Sequence, residues 1–130
     1  MGQRHPIDSN AVIDYIEDKL PVKSALALDR ILDSNLNTSI VVRIEVLGFN
    51  GLVPQMQKLK EFLDLATTYY IDDDIAVKTI ELRKTYQKLK LGDAIIAATA
   101  LVHDLTIITR NTKDFKNIEG IDCMNPHKMG

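Results

Sequence analysis

Apolar residues along this chain recur with two periods, and their alternation predicts short strands separated by helices. A brief first strand ends at Ile7 and is weakened at its start by Pro6, which lacks the N–H that a strand ladder needs. Ser9 or Asn10 then caps a helix with Val12, Ile13, Ile16 and Leu20 on its apolar face. Asp14, Glu17 and Asp18 form the solvated face. Pro21 stops that helix, and a second amphipathic helix covers residues 22–32, with Ala25, Leu28, Ile31 and Leu32 inward. Asp33-Ser34-Asn35 is a turn signal. The β-branched run of residues 38–42 predicts a buried parallel strand.

Residues 43–49 switch to a helical pattern, with Ile44, Leu47 and Gly48 spaced for packing. Pro54 starts a helix over residues 55–65, with Leu59, Phe62, Leu63 and Ala66 inward. Residues 67–71 read as a strand. Asp72-Asp73-Asp74 opens a helix that runs to Leu89, with Ile75, Ala76, Ile80, Leu82 and Tyr86 among its apolar positions. Gly92-Asp93 opens a helix that is apolar nearly all round, so it should be the most buried. Residues 105–109 are the clearest strand. A helical turn at residues 113–115 and a last strand at residues 121–123 follow, and Met124 onward is expected to be a loose tail. The order predicts one α/β domain over residues 1–130, its sheet mostly parallel, with four to five strands covered on both faces.

Composition narrows the function classes. A formal charge of −2 and a pI near 5.9 argue against a protein that coats nucleic acid by bulk electrostatics. They leave room for a nuclease, which needs only local anion-binding groups beside an acidic centre. Cys123 is the sole cysteine, so an intramolecular disulfide and a thiolate metal site are excluded. The longest apolar stretch, residues 94–102, is interrupted by Thr99 and too short for a bilayer, and the chain reads as cytoplasmic.

The chemistry rests on four scattered acids. Asp8 follows Ile7, Glu45 comes just after Ile40-Val41-Val42, Asp93 opens the apolar run 94–98, and Asp114 follows the strand 105–109. Taken singly, each has an ordinary use as a cap, a turn support or a solvated helix residue. Taken together, they sit where an open α/β sheet directs the carboxyl ends of its strands toward one crevice. Four carboxylates there repel one another unless a divalent cation holds them. All-oxygen ligands select hard ions, so Mg²⁺ or Mn²⁺ is expected, and such ions activate water against a phosphodiester. The more conspicuous Asp72-Asp73-Asp74 run is better read as a helix start favoured by the macrodipole. His5, His103 and His127 show no metal-ligand spacing, and no Gly-rich phosphate loop or G-x-S-x-G elbow is present.

Four stretches, in order, carry a resemblance over essentially the whole chain. They are Ile7-Asp8-Ser9-Asn10, Ser39-Ile40-Val41-Val42-Arg43-Ile44-Glu45, Gly92-Asp93-Ala94-Ile95-Ile96-Ala97-Ala98 and Ile108-Thr109-Arg110-Asn111-Thr112-Lys113-Asp114-Phe115. With these the chain resembles PIN-domain ribonucleases, in particular the VapC-type toxins of bacterial type II toxin–antitoxin pairs. The resemblance implies a three-layer α/β/α sandwich and a metal site of Asp8, Glu45, Asp93 and Asp114. Asp8 and Asp93 would be direct ligands. Glu45 and Asp114 would bind a second metal or act through water. Asn10 would support Asp8, while Thr109 and Asn111 would line the site. Arg110 and Lys113 are candidate RNA phosphate contacts, with a merely solvated role an equal reading. The resemblance also implies a structured RNA substrate of the tRNA or rRNA kind, inhibition by a cognate antitoxin, and a homodimer. Leu47, Phe49, Leu52 and Val53 read either as an antitoxin groove or as core.

Pro6 departs from the family, which places its first strand near the sheet centre. Two other readings compete. A catalytically silent PIN fold used for protein or RNA binding is one, and the intact acidic set speaks against it. A receiver-like signalling domain is the other; it needs a phospho-accepting Asp at a strand end, where this chain has Arg43 after Val41-Val42.

Overall fold

Among the described residues the first strand is β1 (His5–Pro6), in a computed structural model that describes residues 5–129. Residues 1–4 and 130, the ends of the span expected as one domain, lie outside the described residues. Then follow α1 (Ser9–Ile16), α2 (Val22–Asn35), β2 (Leu36–Ser39), α3 (Ile40–Leu47), α4 (Val53–Asp64) and β3 (Thr67–Tyr69). The second half holds α5 (Asp73–Thr85), α6 (Leu91–His103), β4 (Thr106–Ile108), α7 (Thr112–Phe115), β5 (Asp122–Met124) and a 3₁₀ turn, Pro126–Lys128.

The fold is the expected α/β class, but the sheet is not a single run of four to five strands. β1, β2 and β3 form a parallel three-stranded sheet in that order, and β4 pairs with β5 in a parallel two-stranded one. One parallel bridge, Ile7 to Ile108, joins them, and the Asp8 N–H donates to the Ile108 carbonyl at 2.9 Å. A proline at the hinge of the two sheets explains the break, since it brings no ladder donor.

The second strand ends three residues earlier than its β-branched run suggests. Ser39 turns the chain: its hydroxyl accepts from the Val41 N–H at 3.1 Å and caps α3, whose first residues are Ile40, Val41 and Val42. Val42 and Val46, one helical turn apart, are both buried, so packing overrides the strand propensity of this segment. Ile44, expected inward, points to solvent at 63% exposure. In α5 the buried position is Thr79 rather than Ile80, its hydroxyl donating to the Ile75 carbonyl at 2.7 Å. Asp72 caps α5 through the Ile75 N–H at 2.9 Å, with Asp73 and Asp74 in the first turn.

The core is aliphatic apart from Phe115, with Leu28, Leu63, Ile75, Ile107 and Ile108 fully buried around it. Helix α6 buries Ala94 and the unbroken run Ile96 to Ala100, and it packs on α5, α3 and β4. Among the described residues no helix is long and apolar enough to cross a membrane. The segment expected as a loose tail is docked instead. Met124 ends β5, and Ser24 and Met129 exchange hydrogen bonds, the hydroxyl donating to the Met129 carbonyl at 2.9 Å and accepting from its N–H at 3.1 Å.

Gly120 sits at φ +86°, where an added Cβ would also meet Leu101 Cδ2 at 3.2 Å. Gly120→Ala should therefore lose about 1–2 kcal/mol, read as a lower urea midpoint at unchanged slope. An unchanged midpoint would mean that the turn relaxes freely.

Candidate active site

Asp8 follows β1 and Thr109 follows β4, so two adjacent parallel strands deliver both residues to the same edge. Asp8 is 6% exposed and caps α1, with Oδ1 accepting from the Ser9 N–H at 2.7 Å. Its Oδ2 accepts from the Thr109 hydroxyl at 2.9 Å and from Asn10 Nδ2 at 3.3 Å. Thr109, fully buried, also accepts from Asn10 Nδ2 at 3.2 Å and from the Asn111 N–H at 3.1 Å. Asn10 Oδ1 accepts from the Arg110 N–H at 2.8 Å, which fixes the orientation of the amide. Ser9, Asn10 and Thr109 thus hold Asp8 in one rotamer, with the Asn111 backbone N–H holding Thr109 in turn. Three donors leave acceptor capacity on the carboxylate for a cation.

The other three acids arrive from different helices. Asp93 lies in the first turn of α6 and Asp114 on α7. Glu45 lies on α3, where Oε1 accepts from the Ser9 hydroxyl at 2.7 Å. The start of α6 is close to it, since a Cβ at Gly92 would stand 3.5 Å from Glu45 Oε2. Glu45 is exposed rather than enclosed by its apolar neighbours, and Asp114 is exposed too.

Electrostatics tie the four together. Burial raises the Asp8 carboxyl above its ordinary value, against the hydrogen bonds from Ser9, Thr109 and Asn10, and the charge of Glu45 adds to the rise. Asp93 is pushed up to about 6, first by desolvation and then by the charges of Asp8, Asp114 and Glu45, with Lys90 opposing. Asp93 therefore feels all three of the other predicted acids. Among the described residues, however, no three acidic, histidine or cysteine side chains already stand at the spacing of a bound ion. The donor set is all-oxygen and mutually repelling, which suits Mg²⁺ or Mn²⁺ in chemistry and charge.

The basic residues divide. Arg43 is engaged by Asp64. Arg110 reaches away to Asp14, with Nη1 at 3.1 and 3.4 Å from the two carboxylate oxygens. Lys113 lines a cavity of about 380 Å³ that opens beside Asp93 and Asp114. Lys88 and Lys90, absent from the expected set, line it as well, and only their position just ahead of Gly92-Asp93 could have signalled them. Asp14 corrects the reading of a solvated face. It is 3% exposed and also holds His127 Nε2 at 2.8 Å. Its helical spacing from Ala11 was the only hint.

Comparisons with known proteins identify the family. The chain matches the PIN domain family model over residues 7–121. It is 42% identical over 40 residues to a Rickettsia felis protein called Ribonuclease VapC1, a match that spans about 30% of that relative's length. A toxin–antitoxin complex from Klebsiella pneumoniae contains a similar chain, 32% identical with a TM-score of 0.73, covering 97% of this chain and 99% of that one. A DNA-bound VapBC from Salmonella typhimurium shares the fold at 21% identity and a TM-score of 0.80, covering 96% and 99%. With nearly its whole described length matched, the chain belongs to the PIN domain family.

Proposed function

We propose that the chain is a metal-dependent endoribonuclease and the toxin of a toxin–antitoxin pair. The observation that carries this reading is that the fold brings Asp8 after β1, Glu45 on α3 and Asp114 on α7 near Asp93 in the first turn of α6, whose carboxyl is raised first by burial and then by their charges. Asp8, Asp93, Glu45 and Asp114 would hold Mg²⁺ or Mn²⁺, the first two as direct ligands. When bound, the ion supplies Lewis acidity toward a phosphodiester and its attacking water. The chain's own part is positional. Thr109 and Asn10 lock Asp8, Ser9 steers Glu45, and Lys90 and Lys113 offset negative charge where an RNA phosphate enters.

The names of the relatives support an RNA substrate and a protein inhibitor, and the reading includes tRNA or rRNA as target and a homodimer. The surface supports an inhibitor too. Phe49, Leu52 and Val53 are exposed, at 69%, 69% and 79%, which favours a groove over the core reading. Phe49 borders a cavity of about 370 Å³ that also contains Ser9 and Glu45. An antitoxin segment laid there would reach the acidic centre.

The test is cleavage of total cellular RNA by the purified chain with Mg²⁺ or Mn²⁺ and with EDTA, alongside expression in a bacterial host. Metal-dependent cleavage and growth arrest relieved by a co-expressed antitoxin are expected. No cleavage with either ion and no arrest would return the chain to the silent-fold reading.

A further inference from the structure

Beside Asp93 and Asp114 the cavity of about 380 Å³ is walled by residues 86–90, which follow α5, and by residues on and after α7. Its lining is mixed in a specific way. Tyr86, Leu89 and Ile118 supply an aromatic ring and aliphatic surface, while Gln87 and Asn117 supply amides. Lys88, Lys90 and Lys113 supply positive charge. Among the described residues, none of these five polar side chains is committed to a hydrogen bond or an ion pair. Tyr86 is held at both ends. Its N–H donates to the Leu82 carbonyl at 2.8 Å, and its hydroxyl accepts from the Glu119 N–H at 3.0 Å. The ring is therefore a fixed surface that needs no ordering when a ligand arrives.

We propose that this cavity is a subsite for one unstacked nucleotide next to the scissile phosphate. Tyr86 faces the base, Gln87 and Asn117 read its edge, and Lys88, Lys90 and Lys113 contact the flanking phosphates. Each part matches a piece of a single-stranded nucleotide: a π-face to stack, donors and acceptors to pair, and anionic oxygens to neutralise. A base within a duplex is stacked on both sides and cannot enter. An acidic peptide matches the lysines alone, and its carboxylates would meet Asp93 and Asp114. The subsite rests on the nuclease reading only for the word scissile, so binding and cleavage test the two separately.

The experiment measures binding of an end-labelled RNA oligonucleotide of mixed sequence, single-stranded or annealed to its complement, to the full chain in EDTA. The single strand should bind the wild type more tightly than the duplex. Tyr86→Leu and Asn117→Ala should each weaken single-strand binding, the former by about tenfold from lost stacking. Tyr86→Phe, which keeps the ring but loses its anchor at the Glu119 N–H, should bind between the wild type and Tyr86→Leu. Lys88→Ala should reduce the salt slope by about 0.7. Equal binding by wild type, Tyr86→Leu and Asn117→Ala overturns the subsite, as does a preference for duplex or competition by polyglutamate. Where metal-dependent cleavage persists with an unchanged cut-site pattern in both variants, the nuclease reading stands and the subsite falls. Where the residue-dependent binding holds but no divalent ion gives cleavage, the subsite stands and the nuclease reading falls.

Discussion

Asp93→Asn is expected to abolish the proposed metal-dependent RNA cleavage while leaving the fold intact or firmer. Both halves follow from the same crowding. Asp93 carries a charge that burial and three neighbouring carboxylates oppose, so the asparagine removes repulsion along with the proposed metal ligand. Residues that merely orient a metal ligand cost about 10–100-fold when lost, and a ligand itself should cost more. The gain in stability of the metal-free protein is roughly 1 kcal/mol, after allowance for the solvent that reaches this half-buried group. Asp8→Asn should likewise be inactive.

The sign of the pH dependence separates this account from a simple loss of packing. The folded carboxyl titrates at about 6, above its unfolded value, so between those values the folded state holds more protons than the unfolded one. Stability of the metal-free wild type therefore falls as pH rises through this window and levels off above it. Asp8 is raised in the same direction. Thermal unfolding in EDTA should show a higher Tm near pH 5 than near pH 7, with a smaller difference in Asp93→Asn. Added Mg²⁺ should raise Tm near pH 7 and lose this effect near pH 5, where Asp93 is protonated. Identical pH profiles for wild type and variant would show that Asp93 does not share its site with the other acids.

A large loss of stability is expected from the doubly substituted chain Arg110→Ala, His127→Ala. Asp14 is buried on α1 and is hydrogen-bonded by both Arg110 and His127, so removing both strands a carboxylate away from water. The expected cost is about 3–5 kcal/mol, against less for either single change, because the remaining partner still serves the carboxylate. Asp14→Asn should cost less than the double variant, since it leaves two side chains that are partly exposed and can be hydrated. Urea unfolding of the set measures the order. Additive small losses would mean that Asp14 is solvated in practice. The cluster has a functional side as well, because Arg110 donates its N–H to Asn10, which in turn holds Asp8.

How far the site was legible follows from where each signal lives. Asp8, Asp93 and Asp114 stand next to strong local patterns: a strand end, a buried helix start and the turn after the clearest strand. Glu45 follows a β-branched run that reads as strand through Val42, where the chain is already helical from Ile40. Ser39 ends β2 early and begins a helix through a side-chain cap that β-branched neighbours disguise. The reading of Arg110 as a phosphate contact of equal odds with a surface charge did not anticipate its engagement by Asp14, 96 positions away. Lys88 and Lys90 looked like ordinary surface charges until the loop after α5 was seen to wall the space beside Asp93.

The chain alone determined the order of helices and strands, the aliphatic core and the carboxylate chemistry, because hydrophobic period and residue type are local properties. Tertiary structure decided which acid is buried. Glu45 is open to solvent whereas Asp14, written in a run that reads as a polar helix face, is enclosed. It also decided that the last residues are docked, through a His127 to Asp14 contact spanning 113 positions. Burial and charge pairing are set by whatever the fold brings alongside. A carboxylate's neighbours across a hundred residues have no periodicity to announce them.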